Sequence, residues 1–401
     1  MRYPYADILS LPSVPRLLSA AVVGRMPVGM GALAFFLLVR DAGGSYATAG
    51  LAVGAATVAG CVGAPLLGRL VDRQGQPRIM FPAMLVQVTA LLLLAITAPG
   101  EGALLFGLCA LYGFAAPPLA AAMRATWASL IDDRRQIGRA FTLDATAQEV
   151  IWILGPLLSA VLAEGISPRV PLVVMAAFSA TGVLWFATSA QSRTWRAEPV
   201  ANRHLLGPLM AGPVRRVLLS ILGLAFSWGV LELAIPAYAE QNDASPGALL
   251  SIWAVGSVIG GLGYAARTWG GTTQRMMGIL LGLNLVSFLI IFLSQTPLQL
   301  GILLLLTGVV NAPLIATFYV LIEELAPAGT VTEAFTWIST TFLVGISGGV
   351  ALAGVVADAA SPRTAWWLAV GGGVFAVLTV VVRHGGLHAN PLETAAAEDS
   401  R

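Results

Sequence analysis

Apolar segments long enough to cross a bilayer recur along the whole of this 401-residue chain, and nothing constrains its fold more. A run of about 20 apolar residues spans the hydrocarbon core as a helix, because every backbone polar group there must be satisfied within the segment. Twelve such spans are expected, over about 16–38, 47–67, 79–96, 103–130, 139–163, 170–189, 216–239, 246–266, 276–293, 298–322, 332–356 and 364–382. Composition agrees: 57% of residues are hydrophobic and 10% charged, where a soluble chain carries about a quarter charged residues. The expected fold class is an all-α membrane protein of twelve transmembrane helices. Cys61 and Cys109 both fall inside apolar spans, so no disulfide framework is implied. The first span is followed by many others and reads as a retained helix, not a cleaved signal.

Between the second and third spans stands Gly68-Arg69-Leu70-Val71-Asp72-Arg73-Gln74-Gly75-Gln76-Pro77-Arg78, a compact run of charge and turn residues. Gly75 and Pro77 supply turn chemistry, which makes this a tight loop at a membrane face. All 22 basic residues are arginine; 18 fall on the side of this loop, while Arg40, Arg169 and Arg363 fall opposite and Arg25 lies within the first span. That bias places the loop and both termini in the cytoplasm, with the chain in the cell membrane and the lipid bilayer as its surroundings. The pattern Gly-x-x-x-Asp-Arg-x-Gly-x-x-Arg resembles the signature loop of the major facilitator superfamily, which joins that family's second and third helices as here. The resemblance implies two six-helix bundles related by a pseudo-twofold axis. It also implies that Asp72 packs at an inner gate beside the fourth and eleventh spans, with Gly68, Arg73, Gly75 and Arg78 completing the motif. Glu333, at the start of the eleventh span, suits that neighbourhood because an acid is favoured near a helix N-terminus.

An internal duplication supports the same architecture. At an offset of 194 or 195, Ala140-Phe141-Thr142 matches Ala334-Phe335-Thr336, and Ser167-Pro168-Arg169 matches Ser361-Pro362-Arg363. Gly113 and Pro118-Leu119 match Gly308 and Pro313-Leu314, and Gly68 and Gly75 match Gly263 and Gly270. An even number of spans per unit makes these parallel repeats. The organisation expected is an N-terminal bundle over 1–190, a cytoplasmic linker over 191–214, a C-terminal bundle over 215–383 and a mobile cytoplasmic tail over 384–401. At that offset Asp72 faces Arg267, Arg124 faces Tyr319, and Asp144 and Glu149 face Ile338 and Leu343, so the polar equipment is concentrated in the first half.

A charge inside a bilayer costs at least ~2.5 kcal/mol on insertion scales, so each needs a partner or a function. Arg25 and Glu149 sit at similar depth and form one expected pair. Arg124 and Asp144 are equidistant from Arg134 in the hairpin between the fourth and fifth spans and form another, with Asp72 competing for Arg124. Either arrangement is a protonatable acid beside a tuning cation or a structural ion pair. Glu232 is the sole acid within the seventh to ninth spans, without an obvious partner. Glu149, Glu232 and Asp144 are the proton-coupling candidates. Gln148 shares a helical face with Asp144. Gln87, Asn284 and Asn311 read as helix–helix hydrogen-bonding residues, with Asn311 also a cavity candidate beside Tyr319. Trp152, Trp228, Trp253 and Trp337 are candidates for a cavity lining, whereas Trp127, Trp269, Trp366 and Trp367 sit near span ends and read as an interfacial belt.

No phosphate loop, nucleophile constellation or metal-ligand spacing occurs, so no catalysis, cofactor, metal or nucleic-acid partner is expected. Gly155-Pro156 resembles the core of the superfamily's antiporter motif, although Ser159-Ala160 stands where a glycine pair is expected. The function expected is a secondary active transporter, working as a monomer by alternating access, that exports small amphipathic or apolar organic molecules in exchange for protons. Proton-coupled uptake of a small metabolite is the first alternative, and a non-transporting receptor or assembly factor the second.

Overall fold

The computed structural model describes residues 10, 11, 13–97, 102–130, 134–196, 209, 211–265, 270–326 and 331–381. Those residues form helices α1 (Val14–Asp41), α2 (Tyr46–Gln74), α3 (Gln76–Thr97), α4 (Ala103–Phe114), α5 (Leu119–Leu130), α6 (Arg134–Gly165), α7 (Val170–Ala187) and α8 (Ala190–Thr194). The second half supplies α9 (Gly212–Gln241), α10 (Pro246–Ala265), α11 (Thr273–Ile290), α12 (Pro297–Gly308), α13 (Asn311–Leu325), α14 (Val331–Ala359) and α15 (Pro362–Val381). Eleven stretches are long and apolar enough to cross a membrane; α6 runs alongside them as a twelfth rod, apolar only over Val150–Gly165. The fold is therefore the expected all-α membrane architecture.

Two of the expected spans are each broken into two helices. The fourth divides into α4 and α5 at Ala115-Ala116-Pro117-Pro118, where two prolines in sequence remove two backbone donors. The tenth divides into α12 and α13 at Val309-Val310, three residues before Pro313. The linker expected over 191–214 begins as the short helix α8, capped by the Ser189 side chain, and ends in the first residues of α9. Its middle, and the tail expected over 384–401, lie outside the described residues.

The helices pack in two groups with the same internal plan. In the first, α1 packs on α6 and α7, α2 on α4, and α3 on α7. In the second, α9 packs on α14 and α15, α10 on α12, and α11 on α15. Close approach within each group depends on glycine: Gly24 faces Gly182, Gly29 faces Gly155, and Gly223 faces Gly372. The same plan twice, related by an exchange of halves, is the signature of parallel repeats. The repeat register is not constant. The turns after α1 and α9 correspond residue for residue 200 apart, with positive φ at Gly43 (79°) and Asp243 (51°). Matching by sequence at 194 or 195 therefore misaligns the first helices, and Arg267, set opposite Asp72 by that offset, lies outside the described residues.

The loop between α2 and α3 shrinks to one residue. Gly75 adopts φ 89°, ψ 157° and donates to the Val71 carbonyl at 2.8 Å. Only glycine populates that region readily, and a Cβ there would lie 3.1 Å from an Arg196 guanidinium nitrogen. Gly75→Ala should lower stability by about 1–3 kcal/mol, read as a fall in the detergent-unfolding midpoint; an unchanged midpoint would show that the turn relaxes freely.

Candidate functional site

Among the described residues, the close contacts between the two helix groups gather toward one membrane face. At the face carrying the α1–α2 turn, α2 and α14 come together: a Cβ on Gly50 would lie 2.7 Å from the Val350 carbonyl, and one on Gly354 2.5 Å from that of Tyr46. On the other flank α6 meets α10, where a Cβ on Gly247 would lie 2.5 Å from the Pro156 carbonyl and Ser251 donates to the Ile153 carbonyl at 2.7 Å. Polar groups lock this seal. Arg40 grips the Glu240 carboxylate with Nε and Nη2, at 2.9 Å for the closest contact, while its guanidinium stacks 4.2 Å from the Tyr46 ring. The Asp358 carboxylate accepts from the Tyr46 and Ala47 backbone N–H groups at 2.8 and 2.5 Å, capping the N-terminus of α2 from the opposite group. A carboxylate at that position satisfies free helix donors and complements the helix dipole.

Toward the opposite face, which carries Gly75, the described contacts between α2 and α14 thin out: a Cβ on Gly54 would lie 3.7 Å from the Ser347 carbonyl. Val58, Val62 and Leu66 on α2, and Val344 on α14, are all exposed beyond the seal. Asp72, Arg73 and Arg78 are exposed too, and Gly68 is half-buried. The described ion pairs are Arg25–Asp144 and Arg40–Glu240, so the described charges bridging the two groups lie at the seal and not at Asp72. The side chain of Glu333 lies outside the described residues. Among the described residues, the polar contacts that bridge the two groups thus lie at the face carrying the α1–α2 turn.

The expected charge pairs are re-sorted. Arg25 donates from Nη2 to Asp144 at 2.7 Å, from Nη1 to Gln148 at 3.4 Å and from Nε to the Ala21 carbonyl at 2.9 Å. Arg25 and Asp144 are both buried, in a seam between α1 and α6. Asp144 therefore joins Arg25 and not the expected Arg124, which is exposed on α5. Glu149 lies on α6 five residues past Asp144, its side chain outside the described residues.

Glu232 sits on α9, half-buried between the buried pairs Val230–Leu231 and Leu233–Ala234. Helix α9 packs on α10, α13, α14, α15 and, across the seal, α1. Eight residues separate Glu232 from Glu240, which sets Glu232 about 12 Å along the helix from the seal. One turn away, Trp228 packs edge-on against Trp253 of α10 (6.1 Å between centroids) and Phe342 of α14 (5.3 Å). The indole N–H groups of Trp228 and Trp253 are buried without a hydrogen-bond partner.

The remaining candidates scatter. Trp152 on α6 is exposed and Trp337 on α14 half-buried. Tyr319 packs edge-on against Phe335, 5.4 Å away, toward the open face. Asn311 is buried and accepts from Asn284 at 3.5 Å, while Gln87 accepts from Ser179 at 2.6 Å, so these amides join helices. Trp127 and Trp366 are fully buried instead of interfacial, Trp366 stacked among Tyr238 and Phe292. A groove of about 570 Å³ follows the α2–α14 seam, lined by Leu51, Val58, Phe106 and Val344 among others. Its lining is almost wholly apolar, so it has no group to carry a proton or orient a polar ligand. Sequence reasoning missed the Arg40–Glu240 and Asp358 contacts entirely; opposite charges at positions 200 apart were the available signal.

Two helix groups of matching plan are the architecture of parallel-repeat secondary transporters. The family model of the Major Facilitator Superfamily matches residues 17–283, and the chain belongs to that family. Its fold is similar to the crystal structure of the human organic anion transporter MFSD10 (TETRAN), at 17% identity and TM-score 0.63 over 92% of this chain and 99% of that one. It is also similar to the nucleoside transporter NupG, at 15% identity and TM-score 0.72 over 92% and 98%. A point mutant of NupG gives TM-score 0.74 at 14% identity over the same shares. No curated protein sequence matches the chain.

Proposed function

We propose that the protein exchanges protons for small organic molecules across the cell membrane, exporting them, with Glu232 as the group that alternately holds the proton. The observation that carries this reading is an unpartnered acid at the apex of the cleft: among the described residues Glu232 enters neither ion pair. A carboxylate inside a membrane is tolerated where it lines a water-filled cavity, and marks a proton or ligand pathway. Asp144 is already committed to Arg25 and fits a structural role better. The Arg40–Glu240 lock and the Asp358 cap hold one conformation, with the cleft open to the cytoplasm under the arginine bias of the loops. Rocking of the bundles 1–190 and 215–383 around this apex then carries substrate outward.

The test is flux in proteoliposomes under an imposed pH gradient. Net substrate movement should reverse when the gradient is reversed, and Glu232→Gln should abolish the gradient-driven component while leaving substrate exchange at equal pH intact. Flux indifferent to the gradient in the wild-type protein would remove proton coupling. A Glu232→Gln protein that still follows the gradient would remove Glu232 as the carrier and turn attention to Glu149.

A further inference from the structure

We infer that the groove along the α2–α14 seam holds one acyl chain of a membrane lipid, drawn from the leaflet on the side of the seal. The inference goes beyond the transport reaction and stands whichever acid carries a proton.

The groove is a difference between two flanks that are otherwise built alike. Within the groups the same contacts recur: a Cβ on Gly113 would meet the Ala56 carbonyl and one on Gly308 that of Trp253, while Gly63 faces the Phe114 carbonyl and Gly260 that of Val309. These contacts set α2 against α10 at an offset of 197 residues. Between the groups, Gly50 faces the Val350 carbonyl and Gly247 that of Pro156, which repeats the offset of 197 and sets α14 against α6 at 194. In that register Gly54 stands where Ser251 stands, and Ser347 where Ile153 stands. The Ser251 hydroxyl donates to the Ile153 carbonyl at 2.7 Å and fills its flank. A Cβ on Gly54 would only reach ordinary contact with the Ser347 carbonyl at 3.7 Å and the Ala351 Cβ at 3.8 Å. Its neighbours are small in the same way: Ala55, Gly348 and Ala351 take the places of Ile252, Leu154 and Leu157. Small side chains hollow one seam where bulky ones close the other.

The hollow faces the membrane. Gly50 and Gly54 turn toward α14, and Gly50 also approaches Leu233 of α9, 3.0 Å from where its Cβ would stand. Ala56, Gly60 and Gly63 turn toward α4. Leu51 and Val58 share a different face of α2 and are exposed. Two residues turn a helix by about 200°, so Val53 lies across from Leu51 and Ala56 across from Val58, and both are buried. The exposed rim thus points away from the packed interior. Leu51 and Val58 lie five and twelve residues past Tyr46, about 8 and 18 Å along α2. A hydrocarbon core about 30 Å thick places that depth within one leaflet.

The lining names the chemistry of the occupant. Phe106 of α4 forms a third wall beside α2 and α14, and the surface is almost wholly apolar. The Ser347 hydroxyl in that lining is committed to the Leu343 carbonyl at 2.8 Å. A polar or charged ligand finds no partner there, and water needs two or more. A groove of about 570 Å³ left empty forfeits van der Waals contact along three helices, and the lipid chains at that depth restore it. Because α2 and α14 belong to different groups, the groove keeps its shape only while the seal holds, so a lodged chain favours that conformation.

The probe is phosphatidylcholine with a photoreactive diazirine midway along one acyl chain, in nanodiscs holding the full-length protein, with labelled peptides mapped by mass spectrometry. Labelling should be at least fivefold heavier on 51–58 and 344–351 than on the equivalent stretches 248–255 and 150–157. Gly348→Leu, at a position where a Cβ would stand 3.7 Å from the Phe226 ring, should cut labelling of 51–58 at least fivefold. Ala55→Ile fills the same space from α2 and should act in the same direction, so a folding defect in one variant leaves the other to decide. Equal labelling of the two flanks would mean ordinary lipid surroundings and would overturn the inference. So would undiminished labelling in a folded variant, or crosslinks to a second copy of the chain in place of lipid.

Discussion

Arg25→Met is expected to lower the stability of the protein by about 3–5 kcal/mol, because it leaves Asp144 buried and ionised without its partner. The seam offers Asp144 little else: Gln148 bonds to Arg25 as well, and both ion-pair partners are almost sealed from solvent, at 5% and 8% side-chain exposure. Asp144→Leu alone should be comparably damaging for the mirror-image reason. The double variant Arg25→Met/Asp144→Leu should recover most of the loss, since paired burial of two charges gains little over apolar packing of the same volume. Unfolding in mixed micelles reads all three. Arg124→Met is the control; an exposed side chain away from such features should change stability by less than about 0.5 kcal/mol. A wild-type midpoint for Arg25→Met would show that the pair does not hold α1 to α6.

The second large effect is on conformation. Gly354→Trp should wedge α14 from α2 at the seal, because even a Cβ at that position meets the Tyr46 carbonyl backbone at 2.5 Å. Spin labels at Asp41→Cys and Gln241→Cys, exposed at the seal face, should then move apart while the opposite face closes. Arg40→Glu should act in the same direction more mildly, since a half-exposed pair contributes about 1 kcal/mol, or a several-fold change in populations. The swap Arg40→Glu/Glu240→Arg should restore the wild-type distance distribution. If Gly354→Trp leaves that distribution unchanged, the α2–α14 contact is not the seal.

How much of this was legible beforehand varies with the physical range of each interaction. The spans were legible because a bilayer accepts few structures; the break of the fourth was not read, although Pro117-Pro118 offered a local covalent signal for it. The face of α6 was partly legible: Asp144, Gln148, Ile151 and Gly155 recur at helical spacing, and all four meet α1, two at Arg25 and two at Gly29. The expectation that Glu149 pairs with Arg25 rested on matched depth alone. The seal was not legible at all. Arg40 and Glu240 lie 200 residues apart and meet because the pseudo-twofold axis brings equivalent helix ends together. A constant offset of 194 or 195 hides that equivalence.

By itself the sequence determined the membrane, the helices, the duplication and the signature loop. These follow from local hydrophobicity, turn chemistry and arginine placement, which act within one or two helix lengths. Which charges pair, and where the two groups make their described contacts, were decided only by the tertiary structure. Each depends on the rotation of one helix about its own axis and on the tilt of one bundle against the other. Those are set by glycine contacts such as Gly29–Gly155 and Tyr46–Gly354, between residues far apart in the chain.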